Sequence, residues 1–181
     1  AQADIMLGGV NDGGEDKMYG DRGGPNSEDQ PTVASISNDG DDILLGDNGL
    51  LDFTYLADTD RNTLDLIRSF EDGLGGVDII SGNKGLDVAI GGTNGDTIYG
   101  DDENASAAAA DLGDLLLGDN ADVFLVAAPD PPPFEIGDLK LVLDAAVATI
   151  QTTDEDHPEY GGSDTISGNA DSDIIAGGVF G

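Results

Sequence analysis

The chain has 181 residues, 38 of them acidic and 6 basic, for a formal charge of −32, which excludes a nucleic-acid binder or a ligand of anionic membranes. Aspartate outnumbers glutamate 31 to 7 and glycine supplies 28 residues, so the carboxylates are mostly on short side chains in backbone that turns tightly. There is no cysteine, hence no disulfide framework and no thiolate site for zinc or iron–sulfur; no apolar stretch nears the roughly 20 residues of a membrane helix.

One phrase recurs from end to end: an Asp, three mostly apolar residues, then Gly. In chain order it starts at Asp4 and Asp16, passes a plain loop from about 23 to 37, and returns at Asp42. An insert over 49–74 follows, with alternating runs Leu51-Asp-Phe53-Thr-Tyr55 and Leu64-Asp-Leu66 either side of the polar stretch 58–62; this pattern predicts a hairpin. The phrase then comes three times in close order, at Asp78, Asp87 and Asp96, and once more at Asp114. A second insert, 121–160, carries Val123-Phe-Leu-Val126 and Leu139-Lys-Leu141-Val-Leu143 around Pro129-Asp-Pro-Pro-Pro133. It reads as another strand pair, although Leu139 to Ile150 also fits a helix. The phrase closes the chain at Asp164 and Asp173.

The adjacent copies at Asp78, Asp87 and Asp96, and at Asp164 and Asp173, step by nine residues. A helix does not keep that register, and three β-prone residues between glycines make a tight turn plus a very short strand. Over this lies a longer period: Gly46-Asp47-Asn48 returns as Gly118-Asp119-Asn120, and the Asp78 phrase with its Asn83 returns as the Asp164 phrase with its Asn169. The predicted organisation is therefore repeats over 1–48, the hairpin insert 49–74, repeats over 75–120, the Pro-containing insert 121–160, and repeats over 161–181. Both ends fall inside a repeat, so the sequence reads as a window from a longer array.

A Gly-rich turn exposes backbone carbonyls and the Asp that ends it adds a carboxylate, so stacked turns offer hard oxygen ligands. Calcium takes six to eight of those, and the softer metals want Cys or His, of which there is only His157. Two carboxylates about 5 Å apart repel by roughly 3 kcal/mol at an effective dielectric near 20. A cation reverses that sign, which predicts that the metal-free chain is largely unfolded.

The phrases, most closely the stretch Gly82-Asn-Lys-Gly85-Leu-Asp87 through Gly91-Gly92-Thr-Asn-Gly95-Asp96-Thr-Ile-Tyr99, resemble the glycine- and aspartate-rich nonapeptide repeats of the RTX family, over about half of the chain. The resemblance implies an all-β fold, a calcium-binding parallel β-roll or β-solenoid of short strands, here interrupted by hairpin-like inserts, with several calcium ions bound between turns eighteen residues apart. It implies Asp78 and Asp96 on one ion and Asp87 on the opposite side. The partner of Asp87 depends on whether Gly100 to Ala108 is a decayed nonapeptide or an insert. Asp164, Asp173, Asp42, Asp114, Asp16 and Asp4 are the other implied ligands, with Gly82, Asn83, Gly91, Gly92, Asn94, Gly168, Asn169 and Gly177 in the turns that complete the shells. The second Gly of the pattern is Asn at 83 and 169 and Asp at 47, 101 and 119.

No catalytic constellation accompanies these turns. His157 stands alone in a polar run, and Asp58-Thr-Asp60-Arg-Asn62-Thr63 begins like an EF-hand loop but has Thr where Gly is required and Ser69 at the twelfth position. Asn104-Ala-Ser106 matches a glycosylation sequon, and Tyr19 and Tyr99 occupy equivalent places. The expectation is a non-enzymatic, calcium-binding structural segment of a large secreted or surface protein of bacterial type, a spacer or adhesin, folding outside the cell as it meets calcium. Its partners are calcium and neighbouring repeats or further copies of itself, with no nucleic acid and no membrane insertion. Two alternatives are a segment of a head-to-tail extracellular filament and the C-terminal roll of a secreted hydrolase or toxin whose catalytic part is absent.

Overall fold

The computed structural model describes residues 5–9, 15–20, 40–55, 64–70, 73–101, 112–125, 147–153, 156–170 and 172–178. These form an all-β molecule of thirteen strands with no α-helix among them. All nine Asp phrases become strands: β1 (Ile5–Leu7), β2 (Lys17–Tyr19), β3 (Ile43–Leu45), β6 (Ile79–Ser81), β7 (Val88–Gly92), β8 (Thr97–Tyr99), β9 (Leu115–Asp119), β12 (Thr165–Ser167) and β13 (Ile174–Ala176). The inserts supply β4 (Gly49–Asp52), β5 (Leu66–Ser69), β10 (Ala121–Leu125) and β11 (Val147–Thr152).

Successive phrases alternate between two sheets. A central sheet runs in the order β1-β3-β7-β9-β13 and a second runs β12-β8-β6-β2. Every pair in both is parallel and in register, so that Ile43 lies beside Val88 and Val88 beside Leu115, while Ile79 lies beside Thr97 and Thr97 beside Thr165. Three-residue strands hold this register because each begins at an Asp and ends at a Gly, and both ends are tied to the neighbouring coil. Thus the Gly46 N–H donates to the Ile90 carbonyl, and the Val88 N–H to the Asp42 carbonyl.

The architecture departs from a purely parallel one. The two inserts meet in a third, antiparallel sheet, ordered β11-β10-β5-β4. In it Leu51 faces Ile67, Ile67 faces Val123 and Val123 faces Ile150. The strand that pairs with β10 is β11; residues 139–143, the run expected to do so, lie outside the described residues. Residues 58–63 and 104–106, with the EF-hand-like run and the sequon, also lie outside them.

The antiparallel sheet covers the central one. Ile43, Leu45, Val88, Ile90, Leu115 and Leu117 of the central sheet pack with Leu64, Ile67, Ala121, Val123 and Leu125 in one buried cluster. The alternate residues Leu44, Ala89 and Leu116 point the other way and pack with Met18, Ile80 and Ile98 of the second parallel sheet. A parallel sheet with both faces covered consists of unbroken apolar runs, which is why Ile43-Leu44-Leu45 and Leu115-Leu116-Leu117 show no polar alternation and are at most 3 % exposed. A fully buried Leu or Ile contributes about 1.5–3 kcal/mol. This second core is what the short strands alone would lack.

Candidate metal centre

The parallel stacking sorts the phrase aspartates into two columns. Along the second parallel sheet the Asp16 N–H donates to Asp78 Oδ1 (2.8 Å), the Asp78 N–H to Asp96 Oδ1 (2.8 Å), and the Asp96 N–H to Asp164 Oδ1 (2.9 Å). Along the central sheet the Asp42 N–H donates to Asp87 Oδ1 (2.8 Å), the Asp87 N–H to Asp114 Oδ1 (3.0 Å), and the Asp114 N–H to Asp173 Oδ1 (3.0 Å). Asp78 and Asp96 are thus brought together, and Asp87 lies in the opposite column with Asp114 and Asp42. The nonapeptide-length stretch after Gly100 does not supply the partner of Asp87: the next coil of the central sheet begins at Asp114, twenty-seven residues on. Asp4 lies outside the described residues.

The second carboxylate oxygen points into the turn. In Asp78, Asp96 and Asp164, Oδ2 is buried and accepts no hydrogen bond. It lies over the glycine that ends the preceding strand: Asp78 Oδ2 over Gly46, Asp87 Oδ2 over Gly82, Asp96 Oδ2 over Gly91 and Asp164 Oδ2 over Gly118. At each of these glycines a carbonyl of the stacked coil closes on the same space, from Gly91, Gly100, Gly118 and Gly177 respectively. A Cβ would fill that space, so the glycine of each phrase is there to admit a carboxylate oxygen and a carbonyl oxygen side by side.

Three carboxylates in this position are nearly dry: Asp78 and Asp87 are 0 % and Asp96 is 1 % exposed. Burial is the largest influence and pushes Asp78 up to about 7 and Asp96 up to about 9, against the N–H donors that favour their charge and with the neighbouring aspartates adding to the rise. Asp164 is also raised, again chiefly by burial. A buried, half-bonded carboxylate is stable with a proton or with a cation. Among the described residues no three acidic or histidine side chains converge as a metal group, so a cation held here would draw on one or two carboxylates and on turn carbonyls. That donor set, all hard oxygen, fits calcium and not a soft metal.

The turn residues divide by backbone conformation. Asn83, Asn94 and Asn169 have φ of 78°, 75° and 63°, and Gly92 and Gly178 have φ of 110° and 83°. The second residue of a tight turn must be left-handed, and Asn is the side chain that best tolerates this. Asn at 83 and 169 therefore replaces Gly for a conformational reason. Gly82 and Asn83 are buried, Gly91 and Gly92 likewise, Gly168 is buried and Gly177 half-buried, while Asn94 is exposed and donates from Nδ2 to the Gly75 carbonyl (3.0 Å).

Asp47, Asp101 and Asp119, in the same second position, are not left-handed. Asp47 and Asp119 stand where β3 and β9 pass into β4 and β10, and their side chains clasp other turns. Asp47 accepts from the N–H groups of Gly76 (3.1 Å) and Thr93 (2.7 Å), and Asp119 from that of Gly162 (3.1 Å). Asp101 accepts from the Ala170 N–H (2.8 Å), and Asp41, in the turn before Asp42, from the Leu86 N–H (2.9 Å). These clasps are the polar residues that the nonapeptide pattern passes over; the return of Gly-Asp-Asn ahead of both inserts is the signal that marks two of them.

Outside the columns, Arg68 on β5 makes a two-pronged pair with Asp122 on β10, Nε to Oδ1 at 2.6 Å and Nη2 to Oδ2 at 2.5 Å. His157 is exposed, stacks on Tyr160 with ring centroids 4.8 Å apart, and lies 3.2 Å from Glu159. No family model, curated protein or solved structure matches the chain.

Proposed function

We propose that this chain is a calcium-stabilised β-roll segment, a structural and non-enzymatic part of an extracellular protein, as its likeness to the RTX nonapeptides implies. The observation that carries the reading is the buried Oδ2 of Asp78, Asp96 and Asp164, which accepts no hydrogen bond and sits in a turn built from hard oxygen donors. The residues that would hold the ions are Asp78, Asp96 and Asp164 in one column and Asp42, Asp87, Asp114 and Asp173 in the other, with the carbonyls of Gly91, Gly100 and Gly118. Bound calcium supplies positive charge where the stack otherwise sets carboxylate on carboxylate in a chain with six basic residues. The protein's own contribution is to hold one oxygen of Asp78, Asp96, Asp164, Asp87, Asp114 and Asp173 on a backbone N–H, so that the other is aimed before any ion arrives.

A calcium titration of metal-stripped protein at pH 8, followed by calorimetry and circular dichroism with magnesium as control, tests this. Saturable calcium binding with a gain in thermal stability, weak or absent for magnesium, is the expected result. A chain that takes up no calcium and melts at the same temperature with and without it would refute the reading. Extracellular calcium modules bind their ion with dissociation constants of about 10⁻⁴–10⁻³ M, which sets the span of concentrations to cover.

A further inference from the structure

We propose that Asn94 is a site of spontaneous deamidation, at which the folded chain converts its own asparagine to aspartate and isoaspartate and loosens the stack around it. The sequence holds two Asn-Gly pairs, Asn48-Gly49 and Asn94-Gly95. A glycine after asparagine leaves its nitrogen unshielded by a Cβ and its backbone free to swing toward the asparagine side chain. The two pairs sit in different surroundings. Asn94 is exposed in the turn between β7 and β8, with a left-handed φ of 75°. Among the described residues the Gly95 N–H donates no hydrogen bond, and a single one, from Nδ2 to the Gly75 carbonyl, restrains the Asn94 side chain. Asn48 instead leads into β4, where Gly49 pairs with Ser69, and its carbonyl accepts the Phe70 N–H (3.0 Å). Leu45 and the Arg68 carbonyl crowd Gly49, so its nitrogen is fixed in a packed sheet. The turn residues Asn83, Asn120 and Asn169 precede Lys84, Ala121 and Ala170, whose Cβ atoms shield the nitrogen.

In the reaction the Gly95 nitrogen gives its proton to solvent and attacks Asn94 Cγ. A C–N bond forms and closes a cyclic imide, the Cγ–Nδ2 bond breaks, and Nδ2 leaves as ammonia with a proton from water. Water then adds to one of the two imide carbonyls and reopens the ring. Opening at the side-chain carbonyl restores the backbone with aspartate at position 94. Opening at the main-chain carbonyl leaves isoaspartate, whose backbone passes through Cγ and is longer by one carbon. The balance is one water consumed and one ammonia released.

Either product disturbs the stack, because Asn94 ties three turns together. Its N–H donates to the Tyr160 carbonyl (2.8 Å), its backbone bridges to Gly161, and Nδ2 donates to the Gly75 carbonyl (3.0 Å). Aspartate replaces that donor by a charged acceptor facing a carbonyl, in a chain already at −32. Isoaspartate has no room for its extra carbon: a Cβ at Gly162 would already run into the Asn94 carbonyl carbon and the Gly95 nitrogen. The change is irreversible, so the stack weakens with age at this turn.

The test is ageing of the native chain at pH 8 in calcium, its β-structure checked by circular dichroism, beside the same chain unfolded in guanidinium chloride. Both are sampled over weeks by peptide mass spectrometry, with chromatographic separation of the aspartate and isoaspartate peptides. In guanidinium chloride Asn48 and Asn94 are expected to convert at similar rates. In the native chain Asn94 is expected to convert at least about tenfold faster than Asn48, with thermal stability falling in step. Asn94→Gly, which accepts the left-handed turn and carries no side-chain amide, is expected to keep its stability over the same period. An Asn94 that keeps its amide in the native chain while losing it in guanidinium chloride, or that converts no faster than Asn48, would overturn the proposal. So would equal loss of stability on ageing in the native chain and in Asn94→Gly.

Discussion

Metal-stripped protein should lose stability as the pH rises from 5 to 8. Asp78 and Asp96 have an ordinary carboxylate value of 3.8 in the unfolded chain and are pushed up to about 7 and about 9 in the fold. Between those limits the folded state holds more protons than the unfolded one, so the free energy of unfolding falls by up to 1.36 kcal/mol per pH unit for each group. The stability is greatest near and below pH 4, and is lost through pH 7 for Asp78 and through pH 9 for Asp96. From pH 5 to 8 the two groups together remove at most about 7 kcal/mol, and their contact in one column makes about half of that a fair expectation. That is comparable with the ~5–15 kcal/mol of a whole domain. Urea unfolding followed by circular dichroism in metal-free buffer, at unit steps of pH, measures it. Asp96→Asn should flatten the slope while Asp156→Asn, at an exposed position, should leave it, which separates column burial from the general repulsion of a chain carrying −32. Stability that is level or rises from pH 5 to 8 in the metal-free protein would refute the reasoning.

Replacing Arg68 by Ala strands the carboxylate of Asp122, whose side chain is 8 % exposed; a loss of about 1–3 kcal/mol is expected in denaturant unfolding. Asn83→Ala places a Cβ-bearing residue without a compensating side chain at φ 78° and should cost about 1 kcal/mol, while Asn83→Gly at the same site should be near neutral. Leu116→Ala, at a side chain 0 % exposed between the two parallel sheets, should cost about 2–5 kcal/mol. Gly91→Ala should lower calcium affinity, because a Cβ there meets Asp96 Oδ2 and the Gly118 carbonyl, whereas Gly9→Ala, strained by a φ of 97° but with nothing within 4 Å of its Cβ, should cost stability and leave calcium affinity. Comparison of their calcium affinities checks whether that space is where the ion's ligands converge.

Much of the stack was legible because its determinants are local. Each Asp phrase carries its own start, strand and stop, and all nine fall on strands; the left-handed turn residue announces itself as Gly or Asn. The destination of the inserts was not legible. The alternation in Leu51-Asp-Phe53 and the apolar run Val123-Phe-Leu125 say that these strands bury side chains, not against what. The buried side chains meet Leu45, Val88 and Leu117 of the central sheet, whose uninterrupted apolar runs were the one sign that both of its faces needed cover. The pairing of Asp87 with Asp114 was open for the same reason, since a nine-residue period cannot by itself distinguish a coil from a loop of equal length. The clasps of Asp47 and Asp119 were hidden because an Asp in a Gly-rich turn looks alike whether it closes its own coil or holds another.

The stack keeps length along its axis separate from length along the chain. One coil to the next is about 4.8 Å wherever it is taken, yet the step uses 18 residues from Asp78 to Asp96, 27 from Asp87 to Asp114, 45 from Asp42 to Asp87 and 68 from Asp96 to Asp164. The molecule is a ruler with even graduations, on which added sequence widens the body without moving the marks. Such a stack can gain or shed side elaborations while its length along the axis stays fixed, and that length changes only in whole coils.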